Sequence, residues 1–167
     1  ILLSDAYIAN GSAAWHLPNL NAYPAIVPPY VKPEMAGSWT PFQRNPQTGV
    51  RYWATPGMKG FMHRIGGLEK SNETGAISTE PENHNLMTRL RAEKVERIAA
   101  SIPDLEVEGD ADADLLIVGF GGTYGHLHSA MDAMNRHGKK AALAHFKFIN
   151  PLPRNTEAVL RRYKKIV

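Results

Sequence analysis

Residues 115–150 read LLIVGFGGTYGHLHSAMDAMNRHGKKAALAHFKFIN, and their pattern decides the fold. Leu115 to Phe120 is a continuous apolar run bounded by acidic residues and glycines, as expected of a strand covered on both faces. Gly121-Gly122-Thr123 turns into a helix with Leu127, Ala130, Met131 and Met134 inward. Gly138, after Arg136 and His137, stops it. Ala141 to Ile149 is the next strand, broken by Pro151 and Pro153. Asn155 or Thr156 then caps a third helix carrying Val159, Leu160 and Tyr163, and Lys165 opens a further strand. Strand–helix–strand–helix–strand at this spacing predicts an α/β fold, with a parallel doubly wound sheet and right-handed crossovers.

Upstream, residues 62–95 (MHRIGGLEKSNETGAISTEPENHNLMTRLRAEKV) pass from a glycine-rich polar loop into a charged amphipathic helix. Asn83 or His84 opens that helix, which runs to about Ser101 with Leu86, Leu90, Val95 and Ile98 near one face. Glu80-Pro81-Glu82 suits its N-terminus. Functional side chains concentrate on loops that a rigid scaffold can aim. Glu69, Lys70, Asn72 and Glu73 between Gly67 and Gly75 are therefore the candidate substrate- or partner-facing residues, with His84 close behind. The competing reading is a polar surface loop whose glycines only permit its bends.

From Pro18 to Pro56 come eight of the chain's twelve prolines, interleaved with Tyr23, Tyr30, Trp39, Phe42, Tyr52 and Trp53. Proline at this density forbids a continuous helix or central strand, and the aromatics argue against a solvated linker. An irregular arm lying across another surface is expected. Residues 1–8 read as the end of a buried strand followed by a turn or helix. Ile1 without a leading methionine, and Lys165-Ile166-Val167 as a strand start, predict a piece of a longer polypeptide. No internal repeat or low-complexity tract is visible.

Composition narrows the classes. The chain of 167 residues has no cysteine, hence no disulfide, thiolate metal site or iron–sulfur ligation of its own, and a cytoplasmic location is expected. No run approaches a membrane span. The net charge of +3 is spread between an acidic segment at 104–114 and a basic one at 154–165. No nucleic-acid motif accompanies the basic residues, so neither nucleic acid nor membrane is an expected partner. Asp110, Asp112 and Asp114 lack the glycine and distal glutamate of a calcium loop and read as the exposed approach to a strand. His126 and His128 point about 200° apart on a helix, with no carboxylate at ligand spacing, so no metal site is expected. Gly119-Phe120-Gly121-Gly122-Thr123-Tyr124-Gly125 sits where a dinucleotide fingerprint would, but Tyr124 occupies a required glycine position. The next strand also carries His145, Lys147 and Asn150 where an acidic residue would hold a ribose.

The order Gly66-Gly67-Leu68-Glu69, Glu73-x-Gly75, Pro81-x-x-His84, Met87, Arg91 and Lys94-Val95 resembles the alpha subunit of 2-oxoacid:ferredoxin oxidoreductases, the 2-oxoglutarate branch above all. Leu3-Ser4-Asp5-Ala6-Tyr7, Pro56-Gly57, Leu116-Ile117-Val118-Gly119-Phe120-Gly121 and Pro151-x-Pro153 extend the match collinearly. The resemblance implies an enzyme that uses thiamine diphosphate, Mg2+ and an iron–sulfur cluster. It decarboxylates a 2-oxoacid oxidatively to an acyl-coenzyme A and passes electrons to ferredoxin. It also implies the end of a pyrimidine-binding domain at 1–15, a proline- and glycine-rich connection at 16–82, and a transketolase C-terminal-like domain at 83–167. The beta subunit, ferredoxin and coenzyme A are the implied partners. No cofactor, metal or catalytic residue is assigned to this chain, which is expected to be structural, subunit-contacting and inactive alone. The family loop often reads Glu-His-Asp-Glu-x-Gly, whereas 69–75 is one residue longer and lacks the His-Asp pair, so no role of that pair carries over. Substrate contact by Lys70 or Asn72 is an expectation from their chemistry. Two other readings stay open: a non-enzymatic assembly or binding module of the same fold, and a nucleotide-binding oxidoreductase domain.

Overall fold

The computed structural model describes every residue except Ile1, Asp5, Ala13, Trp15 and Ile65. Its centre is a four-stranded sheet of β1 (Val107–Gly109), β2 (Leu115–Phe120), β3 (Ala141–Phe146) and β4 (Lys165–Ile166), in the order β1-β3-β2-β4. β2 runs parallel to β3 from Leu115↔Ala141 to Phe120↔Phe146, and parallel to β4 at Leu115↔Lys165 and Leu116↔Ile166. Helices α1 (Ala6–Asn10), α2 (Pro81–Glu96), α3 (Tyr124–Arg136) and α4 (Thr156–Leu160) complete the regular structure.

The winding follows from chain direction. β2 connects through α3 to its neighbour β3, and β3 connects through α4 back to β4 on the far side of β2. Right-handed crossovers that run in opposite directions put their helices on opposite faces. Residue alternation along the strands agrees. Ile117, Ala141 and Leu143 pack with Met131, Leu127 and Met134 of α3, whereas Leu116, Ala142, Ala144 and Phe146 pack with Val159 and Leu160 of α4. Leu116 and Leu143, both 0% exposed, are the largest fully buried side chains of the two layers. The expected α/β doubly wound sheet is therefore present.

Four details depart from the expectations. The edge strand β1, antiparallel to β3 (Val107↔Ala144, Gly109↔Ala142), was not anticipated. It carries one apolar residue in an acidic segment, and the backbone of Gly109 approaches so closely that a Cβ there would lie 2.6 Å from both Ala141 O and Met131 Sδ. β3 ends at Phe146 rather than Ile149, because β2 ends at Phe120 and leaves later residues nothing to pair with. Phe148 and Ile149 are accordingly exposed. Ala130 faces solvent, not the sheet. α2 opens at Pro81, whose fixed φ suits a first helical position. Met87 is its buried residue, while Ile98 falls in a tighter 3-10 turn (Arg97–Ala100) that carries it away from the inward face.

The proline-rich arm is irregular as expected, but residues 28–64 fold on themselves. Trp39 stacks edge-on with Phe61 at 5.6 Å and His63 at 5.0 Å. Val31 and Phe61 are buried, and Tyr30 bridges Trp53. The strand expected at 1–8 is absent among the described residues: Leu2 and Leu3 are exposed coil leading into α1, and Ile1 and Asp5 lie outside the description. A short apolar run does not form a strand without a neighbour to pair with.

Candidate functional site

The loop of residues 66–80 is a small hairpin tied to α2. Lys70 bridges Ile77, Ser71 N–H donates to Ala76 O at 2.7 Å, and Ser78 N–H to Glu69 O at 3.0 Å. Gly75 turns it at φ +74, and a Cβ there would press on Pro41 at 3.0 Å. Asn83 of α2 clamps the hairpin through both ends of its amide, donating to Lys70 O at 2.9 Å and accepting from Asn72 N–H at 3.0 Å. Glu69 accepts from His84 Nδ1 and, at 3.3 Å, from Arg91 Nη1. The hydrogen bond from His84, and after it that from Arg91, hold the Glu69 carboxyl below its usual range against an opposing effect of burial.

These bonds sort the four expected residues. Glu69 and Asn72 are fasteners, since the Asn72 carbonyl oxygen accepts from Arg44 Nη1. Glu73 is exposed, and among the described residues its backbone N–H is engaged by Ser71 Oγ at 3.4 Å. Lys70 differs. It is 4% exposed, and its Nζ donates to the carbonyls of Leu68 and, at 3.2 Å, Gly66. Among the described residues no carboxylate comes within ion-pair distance of it. Buried cations are ordinarily paired, so this ammonium is an unneutralised charge.

Lys70 lines a cavity of about 330 Å³ whose other walls include Trp39, Tyr52, Trp53, His63, Arg51 and Arg64. Trp39 Nε1 donates to Tyr52 O at 3.3 Å, fixing one wall. His63 Nδ1 donates to Phe61 O at 2.8 Å, which leaves Nε2 as its free ring nitrogen. Aromatic walls with a few cations suit a small anionic ligand. Among the described residues that line the cavity there is no nucleophile–base pair. The residues that the sequence reading did not assign to a site, chiefly Trp39, Arg51, His63 and Arg64, come from the arm. Their signal was the interleaving of aromatics with arginines across 39–64.

The other motifs have structural explanations. A Cβ at Gly119 would lie 2.1 Å from Leu127 Cδ1, so helix packing accounts for that glycine. Glu108 was absent from the expected surroundings of the histidines, yet His128 reaches its carboxylate at 3.5 Å and Asp132 at 3.6 Å. Tyr124 also donates to Glu108, at 3.0 and 3.1 Å, a bond that pushes its phenol pKa up. Among the described residues no three His, Cys, Asp or Glu side chains are placed to hold a metal. Asp110 Oδ1 caps Asp112 N–H at 2.8 Å, while Lys140 pairs with Asp110 and Asp112, and Lys164 with Asp114.

No family model matches the chain. The 2-oxoglutarate oxidoreductase subunit KorA of Mycobacterium tuberculosis is 47% identical over 168 residues, which cover 100% of this chain and 25% of the relative. The alpha subunit of 2-oxoacid:ferredoxin oxidoreductase 1 of Aeropyrum pernix is 31% identical over 99 residues, covering 57% of this chain and 16% of its own. The solved 2-oxoglutarate:ferredoxin oxidoreductase of Magnetococcus marinus, with 2-oxoglutarate, coenzyme A and succinyl-CoA bound, superposes with a TM-score of 0.67 at 30% identity. That match spans 78% of this chain and 23% of the neighbour. The chain belongs to the alpha subunits of the 2-oxoacid:ferredoxin oxidoreductases. It spans a quarter of the length of its KorA relative (25%). Within this alpha-subunit segment the hairpin and α2 form one braced unit, and Lys70 is the hairpin residue that lines the aromatic cavity of the arm.

Proposed function

We propose that this chain is part of a thiamine-diphosphate-dependent 2-oxoglutarate:ferredoxin oxidoreductase. The full enzyme converts a 2-oxoacid and coenzyme A to acyl-CoA and CO2, and passes the two electrons released to ferredoxin. A beta subunit completes it. The chain has no cysteine to ligate an iron–sulfur cluster, so a cluster does not fit here. The part assigned to this segment is to present the hairpin and its cavity to the rest of the enzyme. The observation that supports it is Lys70: its buried ammonium, held by the Gly66 and Leu68 carbonyls with no carboxylate in ion-pair distance among the described residues, has a donor left for the carboxylate of a 2-oxoacid at the edge of an aromatic cavity.

The test is full-length alpha subunit with its beta subunit, assayed for 2-oxoglutarate- and coenzyme A-dependent ferredoxin reduction. Activity on 2-oxoglutarate is expected. Lys70→Ala should raise the KM for the 2-oxoacid at least tenfold, the equivalent of losing about 1.4 kcal/mol, with a smaller effect on kcat. Absence of activity would refute the enzyme reading, and an unchanged KM would refute the role of Lys70 alone.

A further inference from the structure

A second concavity of about 300 Å³ lies between residues 42–51 of the arm and α2, and its charge has one sign. Arg44, Arg51, Arg91 and Lys94 line it, and no carboxylate does. Two of the three guanidinium groups, those of Arg44 and Arg91, are fixed before any ligand arrives. Arg44 is held by Phe42 O at 3.1 Å and by the Asn72 side chain, and Arg91 by Thr88 Oγ1 at 3.1 Å and by Glu69. The guanidinium carbon of Arg51 stands 4.6 Å from the centroid of the Phe42 ring and that of Arg44 5.9 Å. Lys94 has no ion-pair partner among the described residues, and its Cβ and Cγ would lie 3.5 and 3.6 Å from a side chain at Gly49.

Such a cluster is costly in the empty chain. Burial lowers the pKa of Arg44 most, and repulsion from Arg51 and Arg91 adds to it. Like charges converging from two separate elements are stabilised when a multivalent anion enters between them. Guanidinium forks match the oxygens of phosphate in geometry and charge. A small concave site favours a compact anion over the broad, flat contact of an acidic protein.

We propose that the groove between residues 42–51 and α2 is a binding site for the phosphate groups of a small ligand, a diphosphate above all. Lys94 and Arg51 supply its mobile contacts, and Arg44 and Arg91 its fixed ones. The site is separate from the role of Lys70 and does not depend on it.

The experiment titrates inorganic pyrophosphate, and separately ADP, into the full-length enzyme by calorimetry at about 0.15 M ionic strength, where exposed charges are well screened. Saturable binding of pyrophosphate is expected, weakened at least tenfold by Lys94→Glu and kept by Lys94→Arg. Lys94 is exposed, so its variants should retain the wild-type circular dichroism. Lys139→Glu changes the net charge equally, away from the groove, and should leave the affinity within twofold. ADP binding tighter than pyrophosphate, with the same dependence on Lys94, would support a nucleotide diphosphate as the source. Equal affinity would support a free phosphate anion. The proposal is overturned if wild type shows no saturable binding of either, if Lys94→Glu binds as wild type, or if Lys139→Glu weakens binding as much as Lys94→Glu. It is also overturned if polyglutamate binds while pyrophosphate does not.

Discussion

Asn83 uses its carbonyl oxygen and its amide nitrogen on two backbone groups of one hairpin, at Asn72 and Lys70. Removing such a clamp leaves both partners partly buried and unpaired, at about 1–3 kcal/mol. Asn83→Ala should lose stability in that range in urea unfolding. Asn83→Asp, which keeps the acceptor and loses the donor, should fall between. Glu69 gives a pH signature at the same scale. Its folded-state pKa is depressed, so its contribution is present above the unfolded carboxylate value of about 4.3 and is lost as pH falls through the lower folded value. Wild type should therefore melt above Glu69→Gln at neutral pH, and the gap should close on acidification below about pH 4. Melting curves of both proteins from pH 7 to 3 measure this. Sequence alone singled out Glu69, Lys70, Asn72 and Glu73 by type, but the roles of Glu69 and Asn72 depend on bonds made 11 to 28 residues away. Only the fold shows that Asn72 is occupied and Lys70 enclosed.

At the scale of elements, the legible parts were those whose burial is written in consecutive side chains. β2 is apolar throughout because both of its faces are covered, and α3 is bracketed by Gly121-Gly122 and Gly138. β1 was illegible because Glu106-Val107-Glu108 has the composition of a solvated loop, and an edge strand needs only one apolar contact to the core. The arm could not be read for a related reason: its core forms between residues far apart, such as Trp39 with Phe61. The packing of α3 on β2 gives a direct test. Gly119→Ala would drive a methyl into Leu127 Cδ1, 2.1 Å away, so Leu127 must leave its packed rotamer or α3 must lift. The cost should be about 1–3 kcal/mol, as for other overpacked sites. Leu143→Ala on the same layer should cost about 2–5 kcal/mol by cavity formation. Thermal unfolding of the two variants separates insertion from deletion at one interface.

Across the whole molecule, apolar surface is distributed unevenly. Residues 16–27 expose Leu17, Leu20, Tyr23, Ile26 and Val27, each more than 60% accessible, while the sheet core is closed. Scattered apolar residues on a surface need no explanation, but a contiguous stretch of this kind marks an interaction face. The chain covers 25% of its KorA relative, and we propose that the remainder of such a subunit covers this stretch. Proteolysis distinguishes this from a free tail, because cleavage requires a segment to leave its packing and fit an extended protease cleft. Chymotrypsin should cut the isolated chain first after Leu20, since Leu17 and Tyr23 are each followed by a proline that blocks cleavage, leaving the Trp39 cluster intact. In the full-length subunit the same bond should be cut at least tenfold more slowly at equal enzyme ratio. Equal rates in the two proteins would show that the segment stays open in the longer one, and that its exposed side chains bind nothing within the subunit.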